Sequence, residues 1–305
     1  MIEAGAAGAR AESPRHVPRG VRPALEDLLE LRRCGGAMRR FFALDEDTRE
    51  GWRSIAPRSQ GMDYAESRPY TPGDDVRRID WRVTARTGRA HTKIFRPERG
   101  GDLACLVDLR APMRFGTRAA FKSVVASHLA ALAGWAAAAG GDRFGACLAG
   151  ASAWRLPAGP AHGTAAALCA LLAAQEAGGE DSLERLAARA AGEAAAGTRF
   201  VVISDFAEAG DSLERVLRPL RARGAVVLVC VRDEFEEQLP PPARYPLTDG
   251  ESLLTLDAAS AQVRAAHARD AQARRARLLA LAARPGTRCR FVGTGEDLLA
   301  LAGAA

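Results

Sequence analysis

The sequence predicts an α/β protein, a doubly wound, mostly parallel sheet of Rossmann type over 101–305, with a smaller N-terminal segment before it. Three observations predict it. Short apolar, β-branched runs recur after Gly100 and Gly101, long alanine- and leucine-rich segments separate them, and two of the runs end in an aspartate. Strands buried on both faces read as continuous apolar runs, and strands alternating with helices give parallel sheets.

The expected strands are 103–109 (LACLVDL), 143–150, 152–156, 199–206 (RFVVISDF), 225–231 (AVVLVCV), 252–256 (SLLTL) and 288–292. Helical patterns fill 118–139, 163–175, 182–195, 211–223 and 258–283, and 143–156 reads as one antiparallel hairpin. In such a sheet ligands sit outside the carboxyl ends of the strands, where strand order reverses. Asp108 in LVDL and Asp205 in VISDF are therefore the first candidate site residues.

Upstream, Leu25, Leu28, Leu29 and Leu31 recur at helical spacing between 23 and 40, with a break at Gly35 and Gly36. Residues 51–67 carry no periodicity. Residues 1–22 lack an apolar signal core and are expected to form a disordered tail. The expected units are thus a tail over 1–22, a helical and charged segment over 23–100, and an α/β domain over 101–305. A chain of 305 residues with 48% hydrophobic side chains has ample core for this.

The net charge of +6 is concentrated early: residues 1–100 hold 20 basic and 15 acidic side chains. That balance suits an acidic protein, an anionic surface or nucleic acid, or follows from an arginine-rich composition alone. No apolar window is long enough for a membrane span; the best, 123–140, is alanine-dominated and contains His128. Cys34, Cys105, Cys147, Cys169, Cys230 and Cys289 stand singly, several in apolar runs, which points to reduced thiols and a cytoplasmic location. The phosphate-binding P-loop, the nucleophile elbow and paired metal-ligand histidines are all missing from the sequence, and VGTGED (292–297) reads as a plain strand-to-helix turn.

The stretch RPYTPGDDVRRIDWRVTAR (68–86) packs three carboxylates, five arginines, a tyrosine and a tryptophan together. PGDD is a turn with helix-capping aspartates, so a short helix is expected over 76–85, presenting a row of guanidinium groups. Three readings stand side by side. Asp74, Asp75 and Asp80 can bind a cation, the arginines can bind phosphates, or the two sets pair with each other and lock the segment onto the domain. The mixed charge weighs against the first two, so nucleic acid is disfavoured.

The order of residues adds to this. R-x-Y-x-x-G-D-D-x-R-x-I-D-W, comprising Arg68, Tyr70, Gly73, Asp74, Asp75, Arg77, Asp80 and Trp81, followed by Arg86 and by HTKIFRPE (91–98), resembles the signature of the domain-of-unknown-function family DUF58. The resemblance implies a von Willebrand factor A (vWA)-like domain after the signature and a MoxR-type AAA+ ATPase as partner in a chaperone-like assembly. It implies no established reaction, so the protein is expected to be a non-enzymatic interaction module or adaptor.

A vWA-like domain implies a metal-ion-dependent adhesion site, D-x-S-x-S with a threonine and a second aspartate, that offers Mg²⁺ to a partner's acidic side chain. Here Asp108 is kept, Arg110 and Pro112 stand where the serines belong, and Thr164 and Asp205 are the counterparts of the other two positions. Arginine stays protonated and proline has no side-chain oxygen. The expectation is a degenerate site without cofactor or metal, Mg²⁺ being disfavoured, in which Arg110 reaches Asp108 and Asp205 as a permanent cation.

Overall fold

The computed structural model describes residues 15–43, 62–71, 79–97, 101–151, 153–175, 178–179, 182–207, 211–248 and 253–303. Its centre is a six-stranded sheet built from β3 (Asp102–Asp108), β4 (Arg143–Ala149), β5 (Trp154–Pro160), β6 (Arg199–Ser204), β7 (Val226–Arg232) and β10 (Thr287–Gly293), in the order β10-β7-β6-β3-β4-β5. All pairs are parallel except β4 with β5, which runs antiparallel at the edge. The chain starts at β3 and then fills the sheet on both sides, so strand order reverses beside β3, the expected crevice position.

Alternation along the strands divides the core in two. Leu103, Cys105, Val107, Val201, Ile203, Val227 and Val229 face one layer, with α3 (Lys122–Ala139) and α4 (Ala161–Ala174). Leu106, Phe200, Val202, Val226 and Leu228 face the other, with α5 (Leu183–Glu193) and α6 (Asp211–Arg221). Helix α3 is buried on every side over Lys122 to Ala137, which is why its sequence is apolar all round rather than striped. Among the described residues no helix is long and apolar enough to cross a membrane.

The first helix, α1 (Leu25–Glu30), and the 3-10 turns after it share the α3 layer: Leu28, Leu31, Met38, Phe41 and Phe42 are buried in it. Trp135 Nε1 donates to the Leu28 carbonyl at 2.9 Å, and a Cβ at Gly35 would collide with the Trp135 backbone. Residues 15–22, expected within a disordered tail, are held by the domain. Gly20 bridges Ala120, and His16 lies between Asp297 and His128, because its backbone finds partners at the domain's surface.

Two small antiparallel ribbons were not anticipated. One pairs β1 (Met62–Pro69) with β2 (His91–Pro97) around α2 (Trp81–Thr87), and among the described residues its packing is chiefly internal. The other pairs β8 (Arg244–Thr248) with β9 (Leu253–Asp257). The SLLTL strand therefore belongs to a separate ribbon and not to the main sheet. This ribbon sits between α7 (Glu234–Glu237), which follows β7, and the descending helix α8 (Ala261–Ala282). It consequently rises from the carboxyl end of the sheet.

Candidate functional site

The carboxyl ends of β3 and β6 carry the two predicted aspartates, and each is neutralised from within the chain. Asp108 is 1% exposed. Its Oδ1 accepts from the backbone N and the Nε of Arg110, both at 3.0 Å, and its Oδ2 accepts from Arg110 Nη2 at 2.9 Å and Ser204 Oγ at 2.7 Å. A guanidinium fork two residues on, fixed by the turn after β3, is the geometry that carboxylates bind best.

Asp205 is answered by a different cation. Lys122, the first residue of α3, donates from Nζ to Asp205 Oδ2 at 2.6 Å and to Glu236 Oε1 at 2.7 Å, while Ala207 N donates to Asp205 Oδ1. Burial would lower the Lys122 pKa, yet the two carboxylates outweigh it and hold the ammonium above the usual lysine range. Arg110 was expected to serve both aspartates; the fork on Asp108 and the buried Lys122 divide that task. Next to Asp205, Phe206 holds φ 50, a left-handed conformation unusual for a bulky residue, with its N–H on Ser204 Oγ at 3.1 Å.

A third carboxylate, missed in the sequence, completes the face. Asp233 follows β7, is 1% exposed, and accepts from Thr117 N and Oγ1, Thr294 Oγ1 and Phe235 N at 2.6–3.0 Å. Burial pushes its pKa up, but these donors more than reverse that and leave it below the usual carboxylate range. Asp233 thereby ties the loop before α3 to the ends of β7 and β10.

Beside Arg110 and Ser204 lies a cavity of about 220 Å³, also lined by Ser182, Phe206, Ser212 and Arg215. Thr164 is nowhere near it. Its hydroxyl donates to the Pro160 carbonyl, and Pro160 pairs with Arg143 at the start of β4, so Thr164 lies at the amino end of the sheet. Because β5 runs backwards, α4 begins at the wrong end and the chain returns to the site only after it. Gly178 N then bonds the Leu109 carbonyl at 2.7 Å, and Ser182 reaches the cavity. The predicted hairpin at 143–156 held that information, since it reverses the direction of everything up to the next helix. Pro112 sits exposed in a 3-10 turn, away from the carboxylates.

The fit to a cation is poor. The Asp108 oxygens already accept four hydrogen bonds, Asp205 is spanned by Lys122 and a backbone amide, and among the described residues no three His, Cys, Asp or Glu side chains converge to hold a metal.

The charged stretch is disposed differently. Gly73, Asp74, Asp75, Arg77 and Arg78 lie outside the described residues. Helix α2 starts at Trp81, not at 76, because Asp80 caps it: its Oδ1 accepts from Arg82 N at 3.2 Å and Val83 N at 3.1 Å. Asp80 thus caps its own helix. Arg68, Arg82 and Arg86 are exposed, Tyr70 is half-buried, and Trp81 is 70% exposed. Arg68 Nη1 donates to the Pro69 carbonyl at 3.2 Å and to Thr71 Oγ1 at 3.0 Å.

The family described as "Protein of unknown function DUF58" matches residues 66–277. The uncharacterized protein Rv1480 of Mycobacterium tuberculosis is 36% identical over 202 residues, 63% of this chain and 62% of its own, and the uncharacterized protein Mb1516 of Mycobacterium bovis matches equally. The match thus spans about three fifths of these relatives' length. Among solved structures, the conserved hypothetical protein BatB from Bacteroides thetaiotaomicron aligns with a TM-score of 0.40 and 13% identity, over 67% of this chain and 95% of its own.

Proposed function

The chain belongs to the DUF58 family, and we propose that it is a non-enzymatic interaction module whose vWA-like adhesion site has exchanged its metal for internal cations. It works with a MoxR-type AAA+ ATPase in a chaperone-like assembly in the cytoplasm. One observation carries this reading: both strand-end carboxylates are paired with a cation of the same chain, Asp108 with Arg110 and Asp205 with Lys122. The four lone-pair sites of Asp108 are all taken, and the cation on each carboxylate is always present, so binding at this face does not wait for a metal.

Thermal unfolding with EDTA, with millimolar Mg²⁺ and with Mn²⁺, beside an Asp108→Ala variant, tests it. The expected midpoint is the same in all three conditions. A midpoint that rises with cation in the parent and not in the variant would mean a competent metal site, since a ligand of the folded state alone raises the midpoint.

A second reading rests on the exposure of Arg68, Arg82 and Arg86 beside Trp81: phosphate or nucleic-acid binding along that row. Binding to a polyanion that weakens steeply with salt would favour it.

A further inference from the structure

We propose that the ribbon of β8 and β9 joins two copies of this chain, the outer edge of β9 pairing antiparallel with the same edge of a second copy. The ribbon is two-stranded and lies apart from the main sheet. Two strands alone are marginal in water, and an exposed edge is a template for another strand. Its root is firm: Arg264 Nη1 donates to the Pro240 and Ala258 carbonyls, and Tyr245 OH to the Pro241 carbonyl. Its far end is open, with Leu253 73% and Leu254 69% exposed.

Backbone phase decides which edge is usable. Ala258 N donates to Ala243 O, which fixes that pair as hydrogen-bonded and, by alternation along the register, Tyr245 with Leu256 and Leu247 with Leu254. The peptide groups of Arg244 and Pro246 therefore point outward from β8, and those of Leu253 and Thr255 outward from β9. Proline has no N–H, so the β8 edge lacks a donor at its middle residue. The β9 edge keeps its donors and, among the described residues, meets no third strand.

The side chains favour a second copy as occupant. Tyr245, Leu254 and Leu256 share one face, and Arg244, Pro246, Thr255 and Asp257 the other. A two-fold pairing centred on Thr255 sets Leu254 against the partner's Leu256 and Asp257 against the partner's Leu253, so the apolar face continues across the joint and no like charges meet. Two five-residue strands bury far less than the roughly 1,000 Å² of a stable interface, so the dimer is weak and forms with rising concentration. Each copy carries +6, so added salt strengthens it.

Sedimentation velocity from about 10 to about 300 µM chain is the first measurement, a range suited to an interface of this size. The parent is expected to pass from monomer to dimer, and Thr255→Pro, which removes an outward N–H and leaves the β8 pairing intact, is expected to stay monomeric with an unchanged circular dichroism spectrum. Leu254→Cys and Leu256→Cys proteins then test the register, because facing non-hydrogen-bonded residues lie within disulfide reach. A mixture of the two should cross-link under mild oxidant while each alone does not. A parent that stays monomeric throughout, a Thr255→Pro protein that dimerises like the parent, or Leu254→Cys cross-linking by itself would overturn the proposal. The edge would then await a strand of another protein, or none.

Discussion

The carboxyl-end face of the sheet and the small unit over 62–97 are made of the same residue types, aspartates, arginines and aromatic rings, and dispose of them in opposite ways. At the sheet end the three strand-end aspartates are buried and matched in place: Asp108 by Arg110 and Ser204, Asp205 by Lys122, Asp233 by two threonines and two amides. In the small unit one aspartate, Asp80, is buried as a helix cap, while Trp81, Arg82 and Arg86 stand in solvent. Charge removed from water has to be matched in place, which makes the first region a determinant of stability. Charge and aromatic surface left in water cost the fold little and remain available to a partner.

The largest effect should come from breaking a buried match. Lys122→Met leaves Asp205 and Glu236 without their shared cation, and removing one partner of a buried pair costs about 3–5 kcal/mol. Urea unfolding should show that loss, and adding Asp205→Asn to the same protein should recover part of it. A loss as small as a surface substitution gives would mean that the sheet end is no more committed than the small unit.

Next in size is a pH effect on the same helix. His128 is 2% exposed, its ring 5.1 Å from that of His16, whose Nε2 has no hydrogen-bond partner among the described residues. Burial, with the neighbouring His16 also opposing the charge, lowers His128 to about 4, and burial lowers His16 too, although Asp27, Asp297 and Glu30 pull it back. Both lie below the 6.5 of a free imidazole, so the unfolded chain binds protons first. Their stabilising contribution is complete above about 6.5 and is lost as pH falls toward 4, by about 3 kcal/mol at most for His128. Denaturation at pH 7 and pH 5 should show the fall, and His128→Leu should flatten it.

Smaller still is the cap on α2. Asp80→Ala should cost about 1 kcal/mol. Because the small unit, among the described residues, packs chiefly on itself, hydrogen exchange of the 81–87 amides should accelerate while the global midpoint hardly moves.

The same contrast explains what the sequence could reveal. The strands of the main sheet were legible because burial on both faces leaves only apolar residues, as in VVLVCV. The Arg110 fork was legible because its partner is two residues away. The match of Lys122 to Asp205 spans 83 positions, and that of Thr117 to Asp233 spans 116, so nothing local announces either. Thr164 was misplaced because one reversed strand exchanges the ends of the sheet. The β1 and β2 ribbon was hidden because MDYAESRP and HTKIFRP show no apolar alternation in sequence, although the two strands pair with each other.

Trp81→Ala should have the least effect on stability and the greatest consequence for the comparison. A side chain 70% exposed contributes little to the fold, so the change should stay within about 0.5 kcal/mol. An exposed tryptophan among arginines has the make-up of an interface anchor, and truncating such an anchor commonly costs at least about 2 kcal/mol of binding, or about thirtyfold in affinity. Titrating the MoxR-type ATPase proposed as partner against parent, Trp81→Ala and Arg110→Lys proteins separates the two regions. Loss with Trp81→Ala alone assigns recognition to the small unit and leaves the sheet end to stability. Loss with Arg110→Lys alone, in a protein that keeps its unfolding midpoint, would reverse the assignment: the guanidinium on Asp108 would then be meeting the partner through the neighbouring cavity, and the exposed tryptophan would be a bystander.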